Sequence, residues 1–393
     1  MKRYQLCFFL LILVITSCLS FAQTKTIQLE LNGRKYKGMH LRANLYYGLK
    51  SRSLDVRGHS TDGANWKFTI PDSIARYAQW YDIMGDYDPE QKKVFWATLL
   101  AVQQNDTIDG KGGRLLALYD EKMPVLRMKY VKSQAFELPS YQVSDSVTME
   151  NGQLIFDQFL LDSIVKGSDF AIELENSQVS TPFLYNDNAA LIHALDSLSQ
   201  KYPDSHYLMV QASIYAASRA NKIEGKKIYN NFSEANKKNY WGERMKKYLY
   251  SFPFQNMELP TTTNLDKEER VIIDPKKYNL IVFSASWCGP CKEEIPILKE
   301  IYTDLKEKLD IVYISIDEPK TVAAWQKLMQ TESIPWRSLN AHKDIDEMQR
   351  RYHVVFGIPC CLLVAPDGKA EFIDVRKIED QQQLYRLFGV SKN

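Results

Sequence analysis

The chain is poor in the residues from which disulfide scaffolds and metal centres are built. Its 393 residues hold only 6 cysteines and 6 histidines. Cys7 and Cys18 lie at the extreme N-terminus, so four thiols serve the remainder: Cys288, Cys291, Cys360 and Cys361. That density excludes a small scaffold in which bridges replace a core. His40, His59, His193, His206, His342 and His353 are scattered without partners at metal-ligand spacing, and read as surface or packing residues. A net charge of +2 excludes an electrostatic case for nucleic acid or an anionic membrane surface. Without Lys2 and Arg3 the 50 basic residues fall to 48, level with the 48 acidic ones.

Also missing is an apolar run long enough to span a bilayer. The longest, Leu6–Ile15, covers about 10 residues against the roughly 20 that a spanning helix needs. Lys2 and Arg3 precede it, so it reads as the apolar centre of an export signal. Two processing sites remain open. Ser20-Phe21-Ala22 before Gln23 suits a signal peptidase and gives a signal over 1–22. Ile15-Thr16-Ser17-Cys18 resembles a lipobox, which gives a signal over 1–17 and a lipid anchor at Cys18. Either delivers the chain to the periplasm or cell envelope.

What the chain does have is Trp287-Cys288-Gly289-Pro290-Cys291. It follows the apolar run Leu280-Ile281-Val282-Phe283 and precedes Lys292-Glu293-Glu294-Ile295, which reads as strand, tight turn and helix. A helix N-terminus offers unpaired N–H groups and a positive dipole end, both of which stabilise an anion. A cysteine placed there is partly thiolate near neutral pH, and the thiolate is the nucleophile. Pro290 suits a first helical turn, where no donor is required. Zinc would demand a second ligand pair, and adjacent Cys360 and Cys361 are badly spaced to supply it. The motif is a redox dithiol, and no metal or cofactor is expected.

Three regions follow the signal. Residues 23–185 alternate apolar and polar positions, as in Ile27, Leu29 and Leu31 or Trp66, Phe68 and Ile70, and Phe170, Ile172 and Leu174. Turns at Asn32-Gly33, Asp62-Gly63, Lys111-Gly112-Gly113 and Asn151-Gly152 separate the strands. An antiparallel, sandwich-like β domain is expected. Its aromatics, Tyr46, Tyr47, Trp66, Trp80, Tyr81 and Trp96, are read as strand packing before a binding face. Residues 186–252 turn helical, with a Leu191, Ile192, Leu195, Leu198 stripe and a cap at Asp204 or Ser205. Residues 253–393 alternate strand and helix and end in a hairpin and a helix, an α/β plan around a mixed sheet.

In this last region the chain resembles thioredoxin-like disulfide oxidoreductases of the TlpA and ResA type, which are exported bacterial proteins. The resemblance rests on the Trp-Cys-Gly-Pro-Cys run, on Glu294 and Pro296, on the insert between Ser315 and Tyr352, and on Gly357-Ile358-Pro359. It implies a cis proline at Pro359, beside the dithiol, presenting backbone groups with Ile358 to a substrate strand. It implies attack by Cys288, resolution by Cys291 and a shared surface of Trp287, Gly289 and Pro290. It also implies protein disulfide substrates, net reduction, and a membrane electron donor of the DsbD or CcdA kind. Thioredoxins carry a buried Asp on the strand before the motif, where this chain has Val282. The ResA-like group has instead a Glu three residues after the second cysteine, here Glu294. One helical turn puts Glu294 on the face of Cys291, while Glu293 points elsewhere.

After the cis proline the family carries a residue other than cysteine, and this chain has Cys360 and Cys361. Successive strand residues face opposite layers, so at most one of these thiols points toward the dithiol. Two other functions compete. A thiol peroxidase of peroxiredoxin type would need a Pro-x-x-x-Thr-x-x-Cys pattern, which Ala285, Ser286 and Trp287 do not fit. A partner-binding module would use the β domain to grip a protein that the dithiol then serves.

Overall fold

The computed structural model describes residues 24–47, 50–100, 125–144, 147–166, 188–219, 222–354 and 357–390. The expected export segment, with Cys7 and Cys18, lies outside them, as do the Lys111-Gly112-Gly113 turn and the Phe170–Leu174 strand. The chain divides into two compact units, Met1–Leu45 with Arg52–Ser177, and Tyr46–Ser51 with Gln178–Asn393. Among the described residues no helix is long and apolar enough to cross a membrane.

The first unit is a closed barrel, not a sandwich. Its strands are β1 (Thr24–Asn32), β2 (Met39–Tyr47), β3 (Lys50–His59), β4 (Asn65–Pro71), β5 (Ala78–Gly85), β6 (Lys93–Leu100), β7 (Val125–Ser144) and β8 (Val147–Lys166). They run in the order β1-β4-β3-β2-β5-β6-β8-β7. The long β7–β8 hairpin is the reason. β7 pairs with β1 and β8 pairs with β6, both in parallel, so the hairpin joins what would be two open edges. Alternation sets the interior, as on β4, where Trp66, Phe68 and Ile70 are buried between exposed neighbours. Trp66 and Tyr81 are buried, and Trp96 stacks on Phe156. The side chains of Tyr46, Tyr47 and Trp80 lie outside the described residues.

One buried carboxylate ties the segment after β1 to β7 and β8. Asp157 on β8 accepts from Arg34 Nε at 3.0 Å, from Tyr36 Oη at 2.5 Å and from Ser133 Oγ. It is fully buried, so its lone pairs depend on these three donors.

Among the described residues from Asn188 to Leu249 the helices are α1 (Asn188–Lys201), α2 (His206–Arg219), α3 (Lys222–Asn231), α4 (Glu234–Lys238) and α5 (Tyr240–Leu249). Leu191, Leu195 and Leu198 form the buried stripe of α1. Ser205, not Asp204, caps α2 by accepting from Leu208 N. Ser233 and Asn239 cap α4 and α5 in the same way. These helices dock on the sheet that follows: Tyr248 stacks on Phe372, and Lys222 Nζ lies 3.0 Å from Glu371.

That sheet has the order β14-β13-β12-β15-β16-β9. Its strands are β9 (Phe252–Pro253), β12 (Tyr278–Ser284), β13 (Leu309–Ser315), β14 (Arg337–Asn340), β15 (Cys360–Val364) and β16 (Lys369–Ile373). β12, β13 and β14 are parallel, whereas β15 runs antiparallel to β12 and hairpins into β16. β9 lies at the junction of the helical region and this sheet and forms its edge. A separate antiparallel pair, β10 (Glu258–Pro260) and β11 (Glu268–Arg270), comes between β9 and β12 in the chain. The helices are α6 (Gly289–Leu305), α7 (Val322–Thr331), α8 (Ile345–Tyr352) and α9 (Ile378–Leu387). Alternation along β12 splits the core: Ile281 and Phe283 pack in one layer, Leu280 and Val282 in the other with Leu298, Ile301 and Leu305 of α6.

Replacing Asp157 with Ala should lower the barrel's unfolding free energy by about 1–2 kcal/mol, since it leaves the buried Tyr36 hydroxyl without its acceptor while Arg34 and Ser133 can turn to water. Denaturant midpoints measure this, and an unchanged midpoint would contradict the role given to the carboxylate.

Candidate active site

β12 delivers the chain to the rim of the sheet, and the dithiol starts four residues beyond it. Cys288 is the N-cap of α6, in extended conformation, and its Sγ accepts from the Cys291 N–H at 3.2 Å. The sulfur therefore occupies the place a serine or aspartate oxygen holds in an ordinary cap. Pro290 sits in the first turn. Cys288 and Cys291 are joined by a disulfide with Cα atoms 5.3 Å apart. Both are buried, yet the lip around them is open: Trp287 is 60% exposed, and Gly289 and Pro290 are exposed with it.

A second segment reaches the same end of the sheet. The Ile358–Pro359 peptide is cis, and Gly357 before it takes a φ of +88°, a backbone region in which glycine carries no Cβ penalty. Cys360 pairs in register with Phe283 near the end of β12. Ile358 and Cys360, on either side of Pro359, pack against the apolar cluster that contains Cys288 and Cys291. Trp287, Cys288, Gly289, Pro290, Cys291, Ile358 and Pro359 thus gather at one rim.

Behind the rim lies Glu294, only 2% exposed on the buried side of α6. Burial pushes its carboxyl up to about 7, against the opposing effects of the Cys361 hydrogen bond and Arg376, with Asp374 adding to the rise. Its Oε1 accepts from Cys361 Sγ at 3.4 Å, while Oε2 is buried without a hydrogen-bond partner among the described residues. Glu293, the adjacent carboxylate, is exposed. A carboxyl that titrates near neutral pH one turn from a buried cysteine can take up and release a proton there.

The two additional thiols separate as strand alternation requires. Cys360 joins the layer of the dithiol, and Cys361 joins the layer of α6. Burial raises both thiols above the ordinary cysteine value, with further upward pressure from Glu294. Both are therefore weak nucleophiles.

Asp317 is a site residue that the sequence did not reveal. It is fully buried just past β13 and accepts from the Ser286 N–H at 2.8 Å and from the Ser286 and Ser315 hydroxyls. Asn340 Nδ2 donates to the Asp317 carbonyl. The carboxylate fixes the loop two residues ahead of Cys288. The available signal was an aspartate directly after the apolar strand Ile311–Ile316, facing the same rim.

The Thioredoxin-like family matches residues 275–370. The chain is 35% identical over 79 residues to a thioredoxin of Staphylococcus aureus, a stretch covering 20% of this chain and 70% of that protein. It is 34% identical over 107 residues to probable nucleoredoxin 1 of Arabidopsis thaliana. That match takes in 26% of this chain and spans 18% of the nucleoredoxin's length. Among solved structures, the thioredoxin domain of a thiol-disulfide oxidoreductase from Bacteroides vulgatus is similar over 35% of this chain and 95% of its own. Its identity is 22% and its TM-score 0.31. A thiol-disulfide oxidoreductase from Bacteroides fragilis gives 20% identity, a TM-score of 0.30 and 99% coverage of its own chain.

The raised carboxyl has a signed consequence for stability. Glu294 moves from an ordinary 4.5 to about 7 on folding, so the folded protein holds the proton more tightly than the unfolded chain. Its stabilising share is complete below about pH 4.5 and is lost as pH rises through about 7. Glu294→Gln cannot ionise. The oxidised variant should match the parent near pH 4 and exceed it at pH 8 by about 3 kcal/mol. Chemical denaturation at the two pH values tests this, and an equal difference at both would remove the buried carboxyl from the account.

Proposed function

The chain belongs to the thioredoxin-like family, and on that premise we propose that it is a thiol–disulfide oxidoreductase that reduces protein disulfides outside the cytoplasm. The observation that carries the reading is the dithiol at the N-terminus of α6 with a buried, neutral-range carboxyl one turn behind it. The export segment and the processing alternatives at Cys18 and Gln23 support the location. Reducing equivalents would come from a membrane donor of the DsbD or CcdA kind.

In the reduced protein Cys288 Sγ, favoured as thiolate by the helix N-terminus, attacks one sulfur of a substrate disulfide. The substrate S–S bond breaks, its other sulfur leaves as thiolate and takes a proton, and a Cys288–substrate disulfide forms. Glu294 accepts the proton of Cys291. The Cys291 thiolate then attacks Cys288 Sγ, expelling the second substrate sulfur. Two electrons have passed to the substrate, and the chain is left with the Cys288–Cys291 bond. Trp287, Gly289, Pro290 and the Ile358–Pro359 segment form the surface against which the substrate strand lies. Asp317 holds the loop that aims Cys288.

Cys288→Ser should abolish reduction of insulin disulfides, and Cys291→Ser should accumulate mixed disulfides that a reductant releases. Gel-shift and turbidity assays read both, and full activity in the Cys288 variant would sink the assignment.

A further inference from the structure

Strand β15 places a second sulfur layer behind the dithiol. Cys361 lies opposite Val282 in register and faces α6, where its Sγ stands 3.4 Å from Glu294 Oε1. Among the described residues this thiol is the one hydrogen-bond donor to the Glu294 carboxyl. The other titratable and charged groups around that carboxyl come from three directions. Tyr313 faces it from β13, Cys360 from β15, and Asp374 and Arg376 from the segment after β16. None of them is bonded to it. The layer that Cys361 joins is otherwise hydrophobic, with Leu280, Val282, Leu298 and Leu363 among its members.

We propose that Cys361 is a positioning residue for Glu294: its S–H holds Oε1 and leaves Oε2 as the atom that exchanges a proton with the dithiol. This rests on the reading of Glu294 as the proton acceptor for Cys291. A thiol suits the task because it is small and donates weakly, so it can restrain a buried carboxylate without replacing its solvation. Burial and the adjoining Glu294 keep Cys361 protonated, which preserves it as a donor and withholds it from disulfide exchange. A purely apolar residue at this position would leave both carboxylate oxygens unpaired in a dry layer, and ionisation of Glu294 would become harder.

The test follows the Glu294 carboxyl directly, by NMR titration of oxidised protein carrying carbon-13 at glutamate Cδ, with Glu294→Gln identifying the signal. Cys361→Ala should raise the titration midpoint by about half to one pH unit, the effect of losing one weak donor. Cys361→Val fills the same space without a donor and should do the same, which covers the case of a poorly folding alanine variant. Cys361→Ser retains a donor and should stay at or below the parent midpoint. Insulin reduction at pH 7 should fall roughly two- to five-fold in the Ala and Val variants, with the rising limb of the pH profile displaced upward, and should be rescued by Ser. A midpoint unchanged in Ala and Val, or raised equally in Ser, overturns the proposal. A midpoint that moves while the pH profile stays fixed upholds the role of Cys361 and overturns the reading of Glu294 as base.

Discussion

The chemistry of the site depends on one cap: the Cys291 N–H donating to Cys288 Sγ. Because sulfur serves as the N-cap, the same atom that closes the helix is exposed to the positive end of its dipole. That arrangement requires β12 to end where α6 begins, and the structure secures the junction from both sides. Asp317 binds Ser286 ahead of the cysteine, and the Ile358–Pro359–Cys360 segment packs against the cluster behind it. Without those two supports the loop 285–288 would have to hold its shape alone.

A thiolate stabilised at a helix tip still leaves the second cysteine needing a way to lose its proton in a dry place. On the proposed mechanism this need falls to the buried carboxyl of Glu294, one turn beyond Cys291 on the helix. Charging that carboxyl is costly, as its upward shift shows, and the layer around Glu294 contains few groups to offset the cost. Arg376 opposes the shift and Asp374 reinforces it, and the Cys361 hydrogen bond is the largest of the effects that oppose it. On the proposed mechanism stability and reactivity are coupled: the same proton that favours the folded state below neutral pH would be the one exchanged in turnover.

What the sequence made legible was local. The apolar run at Leu280–Phe283, the Cys-Gly-Pro-Cys turn and the three-residue step to Glu294 all lie within one strand–turn–helix, where periodicity speaks directly. Longer connections were hidden. Asp317 meets Ser286 across 31 positions, and Cys361 meets Glu294 across 67. Alternation told that Cys360 and Cys361 part ways, but not which layer each enters. β14 has four residues and no clean alternation, so it passed unseen. In the N-terminal domain alternation identified the strands' inner faces correctly at Ile27, Leu29, Trp66 and Phe68. It carries no information on whether a sheet stays open or closes, and the β7–β8 hairpin decided that.

The central claim is that one pair of thiols cycles while two others on β15, Cys360 in the same apolar layer and Cys361 in the layer behind, stay out of the exchange. Differential alkylation with mass spectrometry measures this, on protein quenched in acid before and after turnover with oxidised insulin. The account predicts that only Cys288 and Cys291 change label, always together, with Cys360 and Cys361 recovered as free thiols throughout. Recovery of a disulfide linking Cys360 or Cys361 to either member of the dithiol would contradict it.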